Sequence, residues 1–186
     1  MRTLILILIL LATPLWAAPQ TYRLEPDKSQ VVFAWNFGED EITGTMPVSR
    51  ANLTIDFAQV ANSSVNVAVD VTGAKAGFLF ATQAMKGPKV LNAKEFPEIQ
   101  FTSTKVRKSG AGALIDGNIT VRGVTRPTTL TAEIFRQSGT EKNDLSKLTI
   151  ILTGTVIRSE FGAGGWADFA GEEIRLRITA RIVRTN

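Results

Sequence analysis

Two residue types are missing from this chain: it has no cysteine and no histidine. Without cysteine there is no disulfide framework and no thiol nucleophile, so the fold must stand on its packed core alone. Without histidine the commonest general base and the commonest metal ligand are gone. Zinc, haem or copper held through His or Cys is excluded, as is any Ser-His-Asp or Cys-His assembly. A basic stripe with interleaved aromatics is also lacking. The 21 Lys+Arg against 17 Asp+Glu leave a net charge of +4 and a pI near 9.6, dispersed along the chain, which argues against nucleic acid as a partner.

Long apolar runs are scarce, and the one that stands out is at the start. MRTLILILILLATPLWAAPQ carries a positive charge at Arg2, an apolar run from Leu4 to Ala12, Pro14, and small residues at Ala17 and Ala18. The run is shorter than the roughly 20 residues a membrane-spanning helix needs. The pattern is that of a secretory signal over residues 1–17, cut after Ala17, with a domain over 18–186 in the periplasm or outside the cell; Leu15, where a small residue is usual, leaves an uncleaved anchor as the alternative. No cysteine follows the run, so a lipid-anchored lipoprotein is not expected. Removing the segment takes away only Arg2 and leaves +3. The remainder suits one domain, large enough to bury about 70% of its unfolded surface.

What the sequence does have is alternation. In EIRLRITARIV, Ile174, Leu176, Ile178, Ala180 and Ile182 share one face, with Arg175, Arg177, Thr179 and Arg181 on the other. Side chains two apart line one side of a strand, so this is a half-buried strand with a solvated arginine face. The same period links Val31, Phe33, Trp35 and Phe37. It links Leu53, Ile55 and Phe57, then Val65 to Val71, and Leu148 to Val156. Turn signals at EPDKS, NSS, KSGAG and GTEKND separate these runs, which predicts a sandwich or an antiparallel barrel.

One stretch departs from the rhythm. Between Ala74 and Ala93 the residues Ala, Leu, Met and Lys favour a helical turn or two, interrupted by Gly87 and Pro88. A strand from about Glu98 to Arg107 follows. Ile115, Gly117, Ile119 and Val121 share a face, and Leu130, Ala132 and Ile134 resume the alternation. RGVTRP between them supplies a glycine and a proline, so VRGVTRPTTL is the corner between two antiparallel strands.

Three segments carry a family resemblance. GNITVRGVTRPTTL resembles the G-x-L-T-I-R-G-V-T-K-P-V segment of YceI-like proteins, KEFPEIQFTSTKV their K-Y-P-x-I-x-F-x-S, and VIRSEFG their I-N-R-S-D-F-G. Order and spacing agree from TYRLEPDKSQVVFAW to the last strand. The resemblance implies an all-β, extended lipocalin-like fold: an antiparallel eight-stranded barrel with a short helical segment. It also implies a long amphiphile along the barrel axis, such as a polyisoprenoid, isoprenoid quinone or fatty-acyl compound, and brings no catalytic residue, cofactor or metal. The chain departs from the family where a histidine is usual, near Asn36 and Phe37. It also lacks the R-D-x-H-L pattern, with Met85 and Leu91 where polar residues are typical.

The candidate ligand-binding residues are Phe33, Trp35, Phe37, Met85, Phe96, Phe101, Ile119, Arg158, Phe161 and Trp166. The aromatics on strands read more readily as plain core than as cavity lining. RSEFGAGGWADFAGEE sets large apolar groups among glycines, which suits a cavity mouth, a lip touching a membrane transiently, or a loop folded back over the barrel end. Arg158 has two roles open to it: meeting a polar head group, or pairing with Glu160 or Asp168. Gly162, Gly164 and Gly165 lack the strand–turn–helix context of a phosphate loop. Glu39, Asp40 and Glu41 read as a solvated acidic corner. The expected function is an exported lipid carrier; the alternative is an envelope stress or protein-interaction barrel with a filled core. The sequence sets no oligomeric state.

Overall fold

The computed structural model describes residues 18–141 and 143–185, and the predicted export signal over residues 1–17 lies outside them. The strand segments are β1 (Gln20–Leu24), β2 (Gln30–Phe37), β3 (Asp40–Met46), β4 (Val48–Ile55), β5 (Ser64–Asp70), β6 (Lys75–Ala76), β7 (Glu98–Ser109), β8 (Gly112–Val121), β9 (Val124–Arg136), β10 (Lys147–Ile157) and β11 (Glu173–Arg184). The one α-helix among the described residues, α1 (Leu79–Lys86), falls inside the stretch where alternation stops.

Register shows that these segments make eight long strands. β1 and β2 pair with β4 and β3, which in turn pair with β5 and β6. Each couple is one strand with a break: a 3-10 turn at Pro26–Lys28, Pro47, and residues 71–74. Proline offers no N–H to a ladder, so it collects at such breaks. β1 also pairs with β11, and that contact closes an eight-stranded antiparallel barrel. Closure removes the open edges a sheet would otherwise present.

The alternation read from sequence becomes inside and outside. Val31, Phe33, Ile115, Ile119, Leu130 and Ala132 are buried, while Asn118, Thr129 and Thr131 between them are exposed. On the outer face Arg175 pairs with Glu41 at 2.6 Å and with Glu173 at 3.3 Å, so the acidic corner is partly spent on the arginine stripe.

The β8–β9 corner is tighter than RGVTRP suggests. Val121 pairs with Val124, leaving a two-residue turn with Arg122 at φ +50 and Gly123 at φ +75. Positive φ at both positions matches the right-handed twist of a hairpin. Pro127 lies within β9, opposite Asn118. The ladder between β9 and β10 ends at Thr131 and Thr153, so no strand on that side requires its missing N–H.

Up-and-down connectivity sends alternate connections to the same end. The β2–β3 turn, the segment carrying α1, the Arg122–Gly123 turn and residues 158–172 meet at one end. Hydrogen bonds confirm it: Gly38 N–H donates to the Phe169 carbonyl, Gly165 N–H to Lys89, and Gly171 N–H to Asn36. At the other end a separate cluster of Tyr22, Leu53, Leu148 and Ile182 packs where β1, β4, β10 and β11 meet.

Candidate ligand cavity

Large side chains fall on the inner face of the barrel, yet they do not fill it. A cavity of about 1210 Å³ runs from α1 to the opposite end at the 3-10 turn Val60–Asn62 and the β7–β8 hairpin. Ligand pockets commonly measure about 300–1,000 Å³ and are chiefly apolar. Valine, isoleucine, leucine and phenylalanine dominate this wall.

Glycines opposite the rings help to keep the space open. Gly44 faces Phe33 across the β2–β3 ladder, and a Cβ on it would stand 2.2 Å from the ring's Cζ. A Cβ on Gly117 would stand 2.5 Å from Cζ of Phe101. Both rings lie against bare backbone, in recesses that only glycine provides. Phe33 and Trp35 then stack with centroids 5.7 Å apart.

Nine of the ten sequence-derived residues line this cavity: Phe33, Trp35, Phe37, Met85, Phe101, Ile119, Arg158, Phe161 and Trp166. Phe96 does not line it. Its ring lies beneath the β8–β9 turn, where a Cβ on Gly123 would stand 2.9 Å from Cε1. The alternation reaches Ile99 and Phe101 on β7, but Phe96 precedes the strand and inherits no face from it.

Arg158 belongs to the loop. It is 7% exposed, with Nε donating to the Gly171 carbonyl at 2.8 Å. Nη1 donates to Ala163 at 2.8 Å and Gly165 at 2.6 Å, and Nη2 to Ala170 at 2.7 Å. Its carboxylate partner is Glu172 at 3.3 Å, in place of Glu160 or Asp168. A guanidinium has five N–H donors; four are hydrogen-bonded to loop carbonyls here, and its charge faces Glu172. The Ser159 hydrogen bonds, then the charge of Arg158, hold the Glu172 carboxyl below its ordinary range. Arg122 supplies a second tie, donating through Nη1 to the carbonyls of Val90 and Gly162 at 2.8 and 2.9 Å.

So tied, residues 158–172 place Phe161 and Ala163 inside, both 2% exposed, and leave Trp166 and Phe169 at the rim. Phe37 stacks on Phe169 with centroids 6.1 Å apart, and Phe80 meets Trp166 edge-on at 6.0 Å. The loop is therefore both a folded-back cover and one side of a mouth. Phe78 and Phe80 also line the cavity, and the sequence reading did not single them out. Their signal was FLF at the start of the non-alternating stretch.

At the opposite end the buried charge is Asp56, 4% exposed. Its carboxylate accepts from Ala58 N–H at 2.9 Å, Gln59 N–H at 2.8 Å and Asn62 Nδ2 at 3.0 Å. The Gln59 amide, followed by Asn62, holds its pKa below the ordinary aspartate value.

Comparison with known proteins agrees with this architecture. Residues 22–182 match the YceI-like domain. A UPF0312 protein of Yersinia pestis (strain Pestoides F) is 33% identical over 102 residues, 55% of this chain and 53% of that protein. A UPF0312 protein of Photorhabdus laumondii is 28% identical over 100 residues, 54% of this chain and 52% of its own. These alignments thus span about half the length of each relative. Among solved structures, Burkholderia cenocepacia BcnA superposes with a TM-score of 0.76 at 20% identity, covering 85% of this chain and 98% of that one. The Campylobacter jejuni YceI protein gives 0.61 at 22% identity, covering 74% and 81%. At such identities the likeness concerns the fold.

Proposed function

This chain belongs to the YceI-like family, and from that premise we propose that it carries a long amphiphile through the periplasm or outside the cell. The cargo is a polyisoprenoid, an isoprenoid quinone or a fatty-acyl compound, held along the barrel axis. The family is one of binding barrels. The observation that carries the proposal is the apolar cavity of about 1210 Å³.

Burying one methylene contributes about 0.8 kcal/mol, so ten contribute about 8 kcal/mol. Association costs about 4–15 kcal/mol, incurred once whatever the tail length. A long apolar cavity therefore selects for long tails, because each added methylene gains against a fixed cost. Arg158 does not contribute to a head-group site, since its donors are occupied by the loop. Selection by tail length rather than head group follows. Export rests on the signal-like pattern of residues 1–17.

Native mass spectrometry of protein purified without added lipid tests the proposal. The expected result is a bound species that organic extraction releases and identifies. A consistently empty barrel that takes up neither quinone nor polyprenol analogues overturns it, and leaves an envelope protein-interaction role.

A further inference from the structure

Eight large apolar side chains are exposed among the described residues, and six sit at the α1 end: Phe37, Phe78, Leu79, Phe80, Trp166 and Phe169. Leu79 is 74% exposed and Phe80 63%, on a helix with no buried residue. All but Leu79 also line the cavity, so the patch is the outer lip of the mouth. Trp166 stands at φ +63, a costly backbone for a bulky residue, yet the residue is 44% exposed. Strain of this kind, spent on holding an aromatic ring at the surface, points to something the ring meets there.

The charges around the lip say what that is. Residues 71–94 contain Lys75, Lys86, Lys89 and Lys94 and no acidic residue. Lys89 Nζ stands 5.6 Å from the Trp166 ring, beside the apolar tip. Lys86 is drawn toward Asp70 and the Thr72 carbonyl, leaving Lys75, Lys89 and Lys94 as exposed cations. The acidic groups of this end are set around them: Glu95 holds Asn92, Glu41 is paired with Arg175, and Glu39 and Asp40 lie at the β2–β3 turn beyond Phe37. Asp168 is the acid nearest Trp166 in sequence. The lip therefore has cations flanking α1, an acidic edge at β2–β3, and one exposed acid, Asp168, between Trp166 and Phe169. Aromatic tips flanked by lysines suit the headgroup level of an anionic bilayer.

We propose that the α1 lip docks on an anionic lipid bilayer, with Phe78, Leu79, Phe80 and Trp166 at headgroup level and Lys75, Lys89 and Lys94 against the phosphates. The cavity mouth then opens onto lipid, and an amphiphile passes between bilayer and barrel without crossing water. The inference rests on the carrier reading for its purpose but has its own readout.

Because the chain has no native cysteine, a single environment-sensitive fluorophore can be placed at Leu79→Cys, with Ser109→Cys at the opposite end as the control. Vesicles of phosphatidylcholine with phosphatidylglycerol should brighten and blue-shift the probe at position 79 and leave the one at 109 unchanged. Each of Lys75→Gln, Lys89→Gln and Lys94→Gln, introduced beside the probe, should weaken the response about fivefold. Full-length protein serves, since attachment through residues 1–17 alone would leave position 79 in water. A silent position 79, equal responses at 79 and 109, or an equal response to pure phosphatidylcholine overturns the proposal. So does a concentration-dependent response without vesicles, which assigns the lip to a second copy of the chain. A chain that inserts at 79 yet is always empty by mass spectrometry defeats the carrier reading alone. A loaded chain silent at 79 defeats this one alone.

Discussion

The two ends of the barrel solve one problem with opposite charges. Buried loop backbone needs hydrogen-bond partners, and the described residues contain two buried charged side chains, one at each end. At the α1 end Arg158 gathers carbonyls from a loop of more than a dozen residues. At the other end Asp56 gathers N–H groups from a short 3-10 connection. A cation can organise a long, wandering loop because a guanidinium fans its donors in several directions. A carboxylate suffices where consecutive amides already converge. The end with the longer loop is the end with the exposed aromatic lip, so Arg158 fixes the mouth while Asp56 closes a turn.

Arg158→Leu should show the largest effect. It strands four carbonyls that now accept from a charged donor, each such bond being worth about 1.5–3 kcal/mol. The loop can relax into water and recover part of this, so the expected loss is about 4 kcal/mol, read as a lower urea midpoint. Arg158→Lys should rescue little, because a single ammonium cannot span Ala163 and Gly171 together. Amide exchange should rise across 158–172 and stay unchanged around Asp56.

Gly117→Ala tests the wall between the ends without touching either charge. The added methyl would meet Phe101 Cζ at 2.5 Å and the Thr102 carbonyl at 2.6 Å, so ring and backbone must both move. Overpacking of this kind costs about 1–3 kcal/mol, and the carbonyl contact puts it near the upper figure. The displaced ring would enter the lumen. Uptake of a long-tailed fluorescent lipid should therefore fall more than uptake of a short one.

Asp56→Ala should cost about 2 kcal/mol, half the effect at the other end, since it removes the oxygen that accepts from two amides and the one that accepts from Asn62. Its pH dependence has a definite sign. The folded carboxyl has a lowered pKa, so its stabilisation is fully present above the unfolded value and is lost as pH falls through the folded one. In acid, amide exchange at Ala58 and Gln59 should accelerate in the native chain. In Asp56→Ala it should be fast throughout.

Much of this architecture was legible in sequence, and the misses have physical causes. Alternation marked the inner faces of β2, β8, β10 and β11 because a half-buried strand repeats every two residues. The break of the first long strand at Pro26 read as a boundary, since a proline signals interruption without saying whether the strand resumes in line. Five of the candidate residues at the cavity, Phe33, Trp35, Phe37, Phe101 and Ile119, reached it for the same reason the strands were found, while Met85, Arg158, Phe161 and Trp166 reach it from α1 and the 158–172 loop. Phe96, between α1 and β7, lies under the β8–β9 turn, a placement that no periodicity marks. The role of Arg158 was hidden, because its acceptors are carbonyls, and residue identity does not reveal which backbone groups a loop turns inward. Phe78, Leu79 and Phe80 were passed over because α1 has eight residues, too few turns for periodicity to mark a face. The glycine recesses at Gly44 and Gly117 needed the register between strands.

Tyr22, in the packed cluster at the Asp56 end, gives the smallest and cleanest test. Its hydroxyl donates to the Leu145 carbonyl at 2.8 Å, and its ring meets Phe57 edge-on in the packed cluster. Tyr22→Phe removes that hydrogen bond and should cost about 1 kcal/mol. Burial raises the phenol's pKa above its ordinary value, with Arg184 opposing and Asp144 assisting. The neutral phenol's contribution is thus fully present below the unfolded pKa and is lost as pH rises through the folded one. Since the chain has a single tyrosine, tyrosinate absorbance follows this one group directly. Its apparent pKa should fall to the ordinary value in denaturant, and the alkaline loss of stability should be smaller in Tyr22→Phe. A tyrosine that titrates identically in folded and unfolded protein would mean that the Tyr22 cluster is open to water. The contrast between a packed cluster at one end and a lipped mouth at the other would then have to be given up.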